Sequence, residues 1–105
     1  MAPPSETIHF VTGRLAEPSL RQVLDRLAPS VGFAATVQVM PITVAALMTT
    51  DWMARRLDVP EGTGKVVIPG ACRGSLDAFA AVTDVPVERG PDDLRRLDEI
   101  GRAHV

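Results

Sequence analysis

The chain has 105 residues, a formal net charge of −2 and hydrophobic residues at 46% of its positions. That is enough apolar material for one packed domain and excludes a disordered chain. The charge balance offers nucleic-acid phosphates no basic surface, and no apolar run approaches the roughly 20 residues needed to cross a bilayer.

A single cysteine cannot close an internal disulfide, which fits a reducing compartment. Residues 1–7 carry proline and serine with no basic lead and no long apolar run, unlike a secretory signal. The expectation is a soluble, cytoplasmic protein with a disordered tail over residues 1–7 and a single domain over residues 8–100.

Ile8 to Val11 is the first strand candidate, with His9 inside an otherwise apolar run. A histidine in that position is expected to be a satisfied or edge-facing side chain before a ligand. Thr12-Gly13-Arg14 makes the turn that follows. A helix begins near Glu17-Pro18, because proline suits the first helical position. Leu20, Val23, Leu24 and Leu27 form its core stripe, while Arg21, Gln22, Asp25 and Arg26 take the wet side. Pro29 and Gly32 are expected to end it.

Ala35 to Met40 reads as a second strand, and the alternation of Thr36 and Gln38 with Val37 and Val39 marks it as an edge strand. Thr43 is a plausible N-cap for a helix over Val44 to Leu57. One face of that helix carries Ala46, Thr50, Met53, Ala54 and Leu57. Val44, Met48 and Trp52 form a second strip, which predicts a docking face toward another helix, another domain or a second copy of the chain.

Lys65 to Ile68 is a short β-branched run ending abruptly at Pro69-Gly70, the pattern of a strand buried on both faces. Ser75 can cap a short helix with Leu76, Phe79 and Ala80 on its buried side. Val85 to Glu88 is a brief fourth strand, and Gly90-Pro91 opens a last helix with Asp92 and Asp93 in its first turn. Residues 101–105 have neither a cap nor an apolar stripe and read as a tail, frayed or the start of a linker.

Strands and helices alternate with connections too long for hairpins. The expected fold class is α/β: a small open parallel sheet of about four strands in a Rossmann-like or flavodoxin-like three-layer sandwich, with strand order 2-1-3-4.

In such a sheet ligands bind beyond the carboxyl ends of the strands, where the strand order reverses. The loops at that edge carry Gly13 and Arg14, then Gly70, Cys72, Arg73 and Gly74, then Arg89 and Gly90. Glycine permits close backbone approach, and arginine offers a fixed fork to a carboxylate or phosphate. These eight residues are the candidate ligand-binding set, for a small anionic ligand held by Arg14, Arg73 and Arg89. The alternative is that these arginines pair with Glu17, Asp77 or Glu88 and only order the loop ends.

Cys72 as a nucleophile would need a base, and the histidines, His9 and His104, lie in no loop at this edge. A structural or ligand-lining thiol is the reading preferred. No GxGxxG follows the first strand, no GxxxxGK[ST] is present, and the cysteine and histidines have no metal-ligand spacing. The sequence therefore calls for no cofactor, no metal and no catalytic residue.

Four segments carry a further signal: Thr12-Gly13-Arg14-Leu15-Ala16-Glu17, residues 40–50 from Met40-Pro41-Ile42-Thr43 onward, Ile68-Pro69-Gly70-Ala71-Cys72-Arg73-Gly74 and Val87-Glu88-Arg89-Gly90-Pro91-Asp92-Asp93-Leu94. In combination, order and spacing they resemble the N-terminal domain of uncharacterised function found in dihydropteroate synthase-like proteins. The resemblance spans roughly residues 8–101. It implies a pterin-binding TIM barrel following this domain, and a role in tetrahydromethanopterin- or folate-type cofactor metabolism. The barrel would then be the partner of the Val44, Met48 and Trp52 strip. Since the synthase's catalytic residues belong to the barrel, the resemblance implies no catalysis by this domain alone.

Overall fold

The computed structural model describes residues 7–43 and 48–90. Four strands, β1 (Thr7–Thr12), β2 (Ala34–Val39), β3 (Lys65–Ile68) and β4 (Val87–Arg89), form one sheet in the order β2-β1-β3-β4. Every pairing is parallel, with Phe10 opposite Val37 on one side and Val67 on the other, and Val67 in turn opposite Glu88. The α/β class and the strand order are those expected from the alternation of elements.

Helix α1 (Glu17–Val31) covers one face. Ile8 and Phe10 of β1 and Val67 of β3 pack there against Leu20, Val23 and Leu24, with Phe33 tilted against Phe10 at 6.1 Å between ring centroids. The intervening residues Val11, Val66 and Ile68 turn to the opposite face. They pack there against Met53 and Ala54 of helix α2 (Thr50–Arg56) and against Phe79 of a short 3-10 turn (Leu76–Phe79). The period of two along a strand thus divides the core into two layers. All four residues of β3 are buried, and each large apolar side chain removed from water in this way contributes about 1.5–3 kcal/mol.

Three expectations are corrected. Pro29 does not end the first helix, which runs on to Val31 and stops at Gly32, whose φ of +87° suits the residue after a helix. A proline so near the end forfeits little of the hydrogen-bond ladder. The second helix is capped by Thr49, whose hydroxyl accepts the Trp52 amide at 3.1 Å, rather than by Thr43. The second and fourth strands are each displaced by one or two residues from their expected bounds.

Thr7, the last residue of the expected 1–7 tail, is instead the first of β1, while residues 1–6, the Val44–Leu47 part of the expected helix, the expected helix opened by Pro91 and the expected tail over residues 101–105 lie outside the described residues. Among the described residues no helix is long and apolar enough to cross a membrane.

Candidate functional site

The chain runs from β2 past β1 to β3, so strand order reverses between β1 and β3. The loops leaving the carboxyl ends of those two neighbours flank the position where an open parallel sheet binds its ligands. Main-chain hydrogen bonds join the described parts of these loops in pairs along the rim.

Beyond β1, the amides of Arg14 and Leu15 donate to the carbonyls of Ile42 (2.8 Å) and Thr43 (3.1 Å), which lie beyond β2. The same connection reappears at α2. There the Arg73 amide donates to the Met48 carbonyl at 3.1 Å, and the Thr50 amide donates to the Arg73 carbonyl at 2.8 Å. Beyond β4, the Gly90 amide donates to the Ile68 carbonyl at 2.8 Å. Backbone beyond each of the four strand ends is therefore tied to a neighbouring segment.

The loop after β3 is shaped by its glycines. Cys72 donates its amide to the Pro69 carbonyl at 3.3 Å, closing a turn over Gly70 and Ala71. Gly74 adopts a φ of +110°, a region that side chains other than hydrogen rarely tolerate, and a Cβ there would collide with the Thr50 hydroxyl. Ser75 then starts the Leu76–Phe79 turn by accepting the Asp77 amide at 3.1 Å.

Arg89 reaches back over this loop. Its Nη1 donates to the Cys72 carbonyl at 2.6 Å and lies 3.2 Å from Cys72 Sγ, and its Nη2 donates to the Gly74 carbonyl. The guanidinium of Arg89 thus holds two protein carbonyls of the neighbouring loop, a contact that sets it apart from the other two arginines expected at this edge. Cys72 itself is buried. Burial pushes its thiol above the ordinary value, opposed by the neighbouring Arg89 charge. A thiol held neutral in this way is a poor nucleophile, and among the described residues no histidine stands beside it.

Arg14 and Arg73 differ from Arg89. Both are exposed, and neither has a side-chain partner among the described residues. Two of the three acids weighed as their partners are engaged with other cations. Glu17 holds Arg21 at 2.7 Å, and Glu88 holds the buried Lys65 ammonium at 2.9 Å. Of the alternative pairing with Glu17, Asp77 or Glu88, the described residues show no ion pair between these acids and Arg14, Arg73 or Arg89.

The eight expected ligand residues fall into two groups. Gly70, Cys72, Arg73, Gly74, Arg89 and Gly90 are gathered around the β3 and β4 ends. Gly13 and Arg14 stand on the neighbouring loop beyond β1, Gly13 buried and Arg14 in solvent. A depression of about 230 Å³ between the Leu76–Phe79 turn and β4 is lined by Phe79, Thr83, Asp84, Val85 and Val87, and it includes none of these residues. Its apolar wall is unsuited to an anion.

The expected docking strip does not form as a surface. Met48 is 1% exposed and belongs to the core beneath α2, and Val44 lies outside the described residues. Trp52 is half-buried against that core and carries the Arg56 guanidinium 4.2 Å above its ring. The i, i+4 spacing of Met48 and Trp52 suggested one helical face, but the helix starts after Met48.

His9 is satisfied, as expected for its position. Its Nδ1 lies 2.7 Å from Thr36 Oγ1 and its Nε2 lies 3.2 Å from Gln38 Oε1. Two features escaped the sequence reading: the pairing of Lys65 with Glu88 and the contact of Gly74 with Thr50. The doubled Thr49-Thr50 before Asp51 was a signal for the true cap.

A family model matches residues 6–92, most of the chain and all of this rim. The chain belongs to a family of unknown function, DUF6513. No curated protein and no solved structure matches it. Family membership covers every element from β1 to β4, so the candidate edge lies within the shared domain. Among the described residues no group of histidine, cysteine, aspartate or glutamate side chains could hold a metal ion.

Proposed function

We propose that this domain binds a small anionic ligand, a phosphate or carboxylate group, through Arg14 and Arg73 at the carboxyl edge of its sheet. The observation that supports this reading is the state of those two arginines. They are exposed on loops flanking the strand-order reversal, while Glu17 and Glu88 are committed to other cations. An arginine fork with no side-chain partner among the described residues is suited to a carboxylate or phosphate from solution.

The resemblance of the loop segments to the front domain of dihydropteroate synthase-like proteins extends the proposal. On that reading the ligand is a compound of tetrahydromethanopterin- or folate-type pterin metabolism, and the domain is an accessory to a pterin-binding partner. The reading assigns the domain a binding role and no chemistry. The alternative, a docking module built on Val44, Met48 and Trp52, is weakened by the burial of Met48.

The experiment is calorimetric titration of the chain with inorganic phosphate and with a phosphate-bearing pterin precursor. Arg14→Ala and Arg73→Ala should each raise the dissociation constant by roughly tenfold, the worth of a charge-assisted hydrogen bond. Unchanged constants in both variants would remove the proposal.

A further inference from the structure

Arg73 is held by its neighbours more completely than an exposed loop residue needs to be. Its amide and carbonyl are both engaged, by Met48 and Thr50, and a parallel bridge joins it to Thr49. The residues on either side of it, Cys72 and Gly74, both give their carbonyls to one guanidinium, that of Arg89. The only part of Arg73 left in solvent is its side chain.

From this geometry we infer that Arg89 is the positioning residue of the anion site: it fixes the Cys72–Gly74 backbone and thereby the direction in which Arg73 presents its charge. The inference rests on the anion-binding reading of Arg73 given above. Arg89 touches no ligand in this scheme.

Two features favour positioning over a general stabilising role. First, a guanidinium has the planar fork needed to hold two carbonyls separated by one residue, whereas an ammonium is a single point of donation. Second, Arg89 sits on the edge strand β4, and its amide neighbour Gly90 bonds back to Ile68. The clamp therefore runs from the sheet itself to both flanks of Arg73. Loss of it frees the loop to adopt several conformations, and binding must then bear the cost of ordering it.

The test is a double-mutant cycle on phosphate binding, with inorganic phosphate as the probe and the melting temperature followed in parallel. Arg89→Met and Arg89→Lys should each weaken phosphate binding, Arg89→Met by roughly tenfold, within the range over which contacting residues couple. In an Arg73→Ala background, Arg89→Met should cost no further affinity, because the group it positions is gone. Hydrogen exchange at the Arg73 amide should quicken in Arg89→Met before global unfolding does.

Additive losses in the cycle would overturn the inference, as would an Arg89→Lys chain that melts normally and binds phosphate with unchanged affinity. Binding that depends on Arg73 but not on Arg89 overturns this inference alone. No phosphate binding by the unaltered chain overturns both the anion reading and the inference built on it. Should Arg89→Met fail to fold, Arg89→Lys decides the matter by the same two readouts.

Discussion

Gly74 lies against Thr50 so closely that no side chain can be placed between them, and this contact fixes how the β3 loop meets the start of α2. The glycine is constrained twice, by its φ of +110° and by the Thr50 hydroxyl that a Cβ would strike. Because Thr50 also donates its amide to Arg73, the contact is made within one residue of the proposed anion-binding side chain.

Gly74→Ala should therefore destabilise the domain by about 2–4 kcal/mol, combining backbone strain with overpacking. Chemical denaturation checks this. The double variant Gly74→Ala with Thr50→Ala should recover part of the loss, since the hydroxyl that obstructs the methyl is removed while the φ penalty remains.

Lys65 and Glu88 make a second, asymmetric relationship. The Lys65 side chain is 3% exposed and that of Glu88 is 41% exposed, at 2.9 Å from one another. Taking the charge from Glu88 removes a counter-charge from a buried ammonium, whereas removing the ammonium leaves a partly exposed carboxylate that water can reach. Glu88→Gln should cost about 2 kcal/mol, less than the roughly 3–5 kcal/mol of a fully buried pair because Glu88 is partly wet. Lys65→Met should cost under about 1 kcal/mol, as the methionine retains the packing of the stem. Equal losses in the two variants would contradict this account.

Much of the fold was legible in the sequence because its signals are local. Val66, Val67 and Ile68 between a charge and Pro69-Gly70 could hardly be other than a buried strand, and the Leu20, Val23, Leu24 and Leu27 stripe is a helix face. The strand order follows from right-handed crossovers applied to that alternation. What was not legible depends on contacts between distant segments. Arg73 and Arg89 look equivalent in sequence, each beside a glycine at the carboxyl edge. Only the fold separates them, by bringing two carbonyls to the Arg89 guanidinium, whereas the Arg73 side chain has no partner among the described residues. Met48 was misplaced for a similar reason. Its spacing to Trp52 is helical, yet α2 begins only at Thr50, and Met48 instead gives its carbonyl to the Arg73 amide beside the Thr49–Arg73 bridge.

Gln38 ties the polar side of the sheet to the end of α2. Its Oε1 accepts the Asp58 amide at 2.9 Å and faces His9 Nε2 at 3.2 Å, and its Nε2 donates to the Arg56 carbonyl at 2.7 Å. Since the Arg56 carbonyl can only accept and the Asp58 amide can only donate, the amide of Gln38 has one orientation. His9 must then donate from Nε2, leaving Nδ1 to meet the Thr36 hydroxyl. Gln38→Ala should lower stability by about 1–3 kcal/mol, with faster hydrogen exchange at the Asp58 amide. Gln38→Glu keeps the two acceptor contacts but faces the Arg56 carbonyl with an acceptor, so it should cost a comparable amount.

Cys72 gives the domain a dependence on alkaline pH whose sign is set by burial. Its ionisation is raised above the ordinary thiol value, first by desolvation and in spite of the opposing Arg89 charge. In the unfolded chain the thiol ionises at its ordinary value, so above that pH the unfolded state has fewer bound protons than the folded one. Stability from this group is complete below about pH 9 and declines as pH rises toward the folded value. Cys72→Ala should flatten that part of the stability profile, at the price of a small cavity that lowers stability at every pH. Arg89→Met removes the charge that favours the thiolate, so it should raise the Cys72 ionisation further and extend the decline to higher pH. Denaturation midpoints measured from pH 8 to pH 10.5 in the three chains check the sign, and a midpoint that rises across this range through Cys72 would refute it.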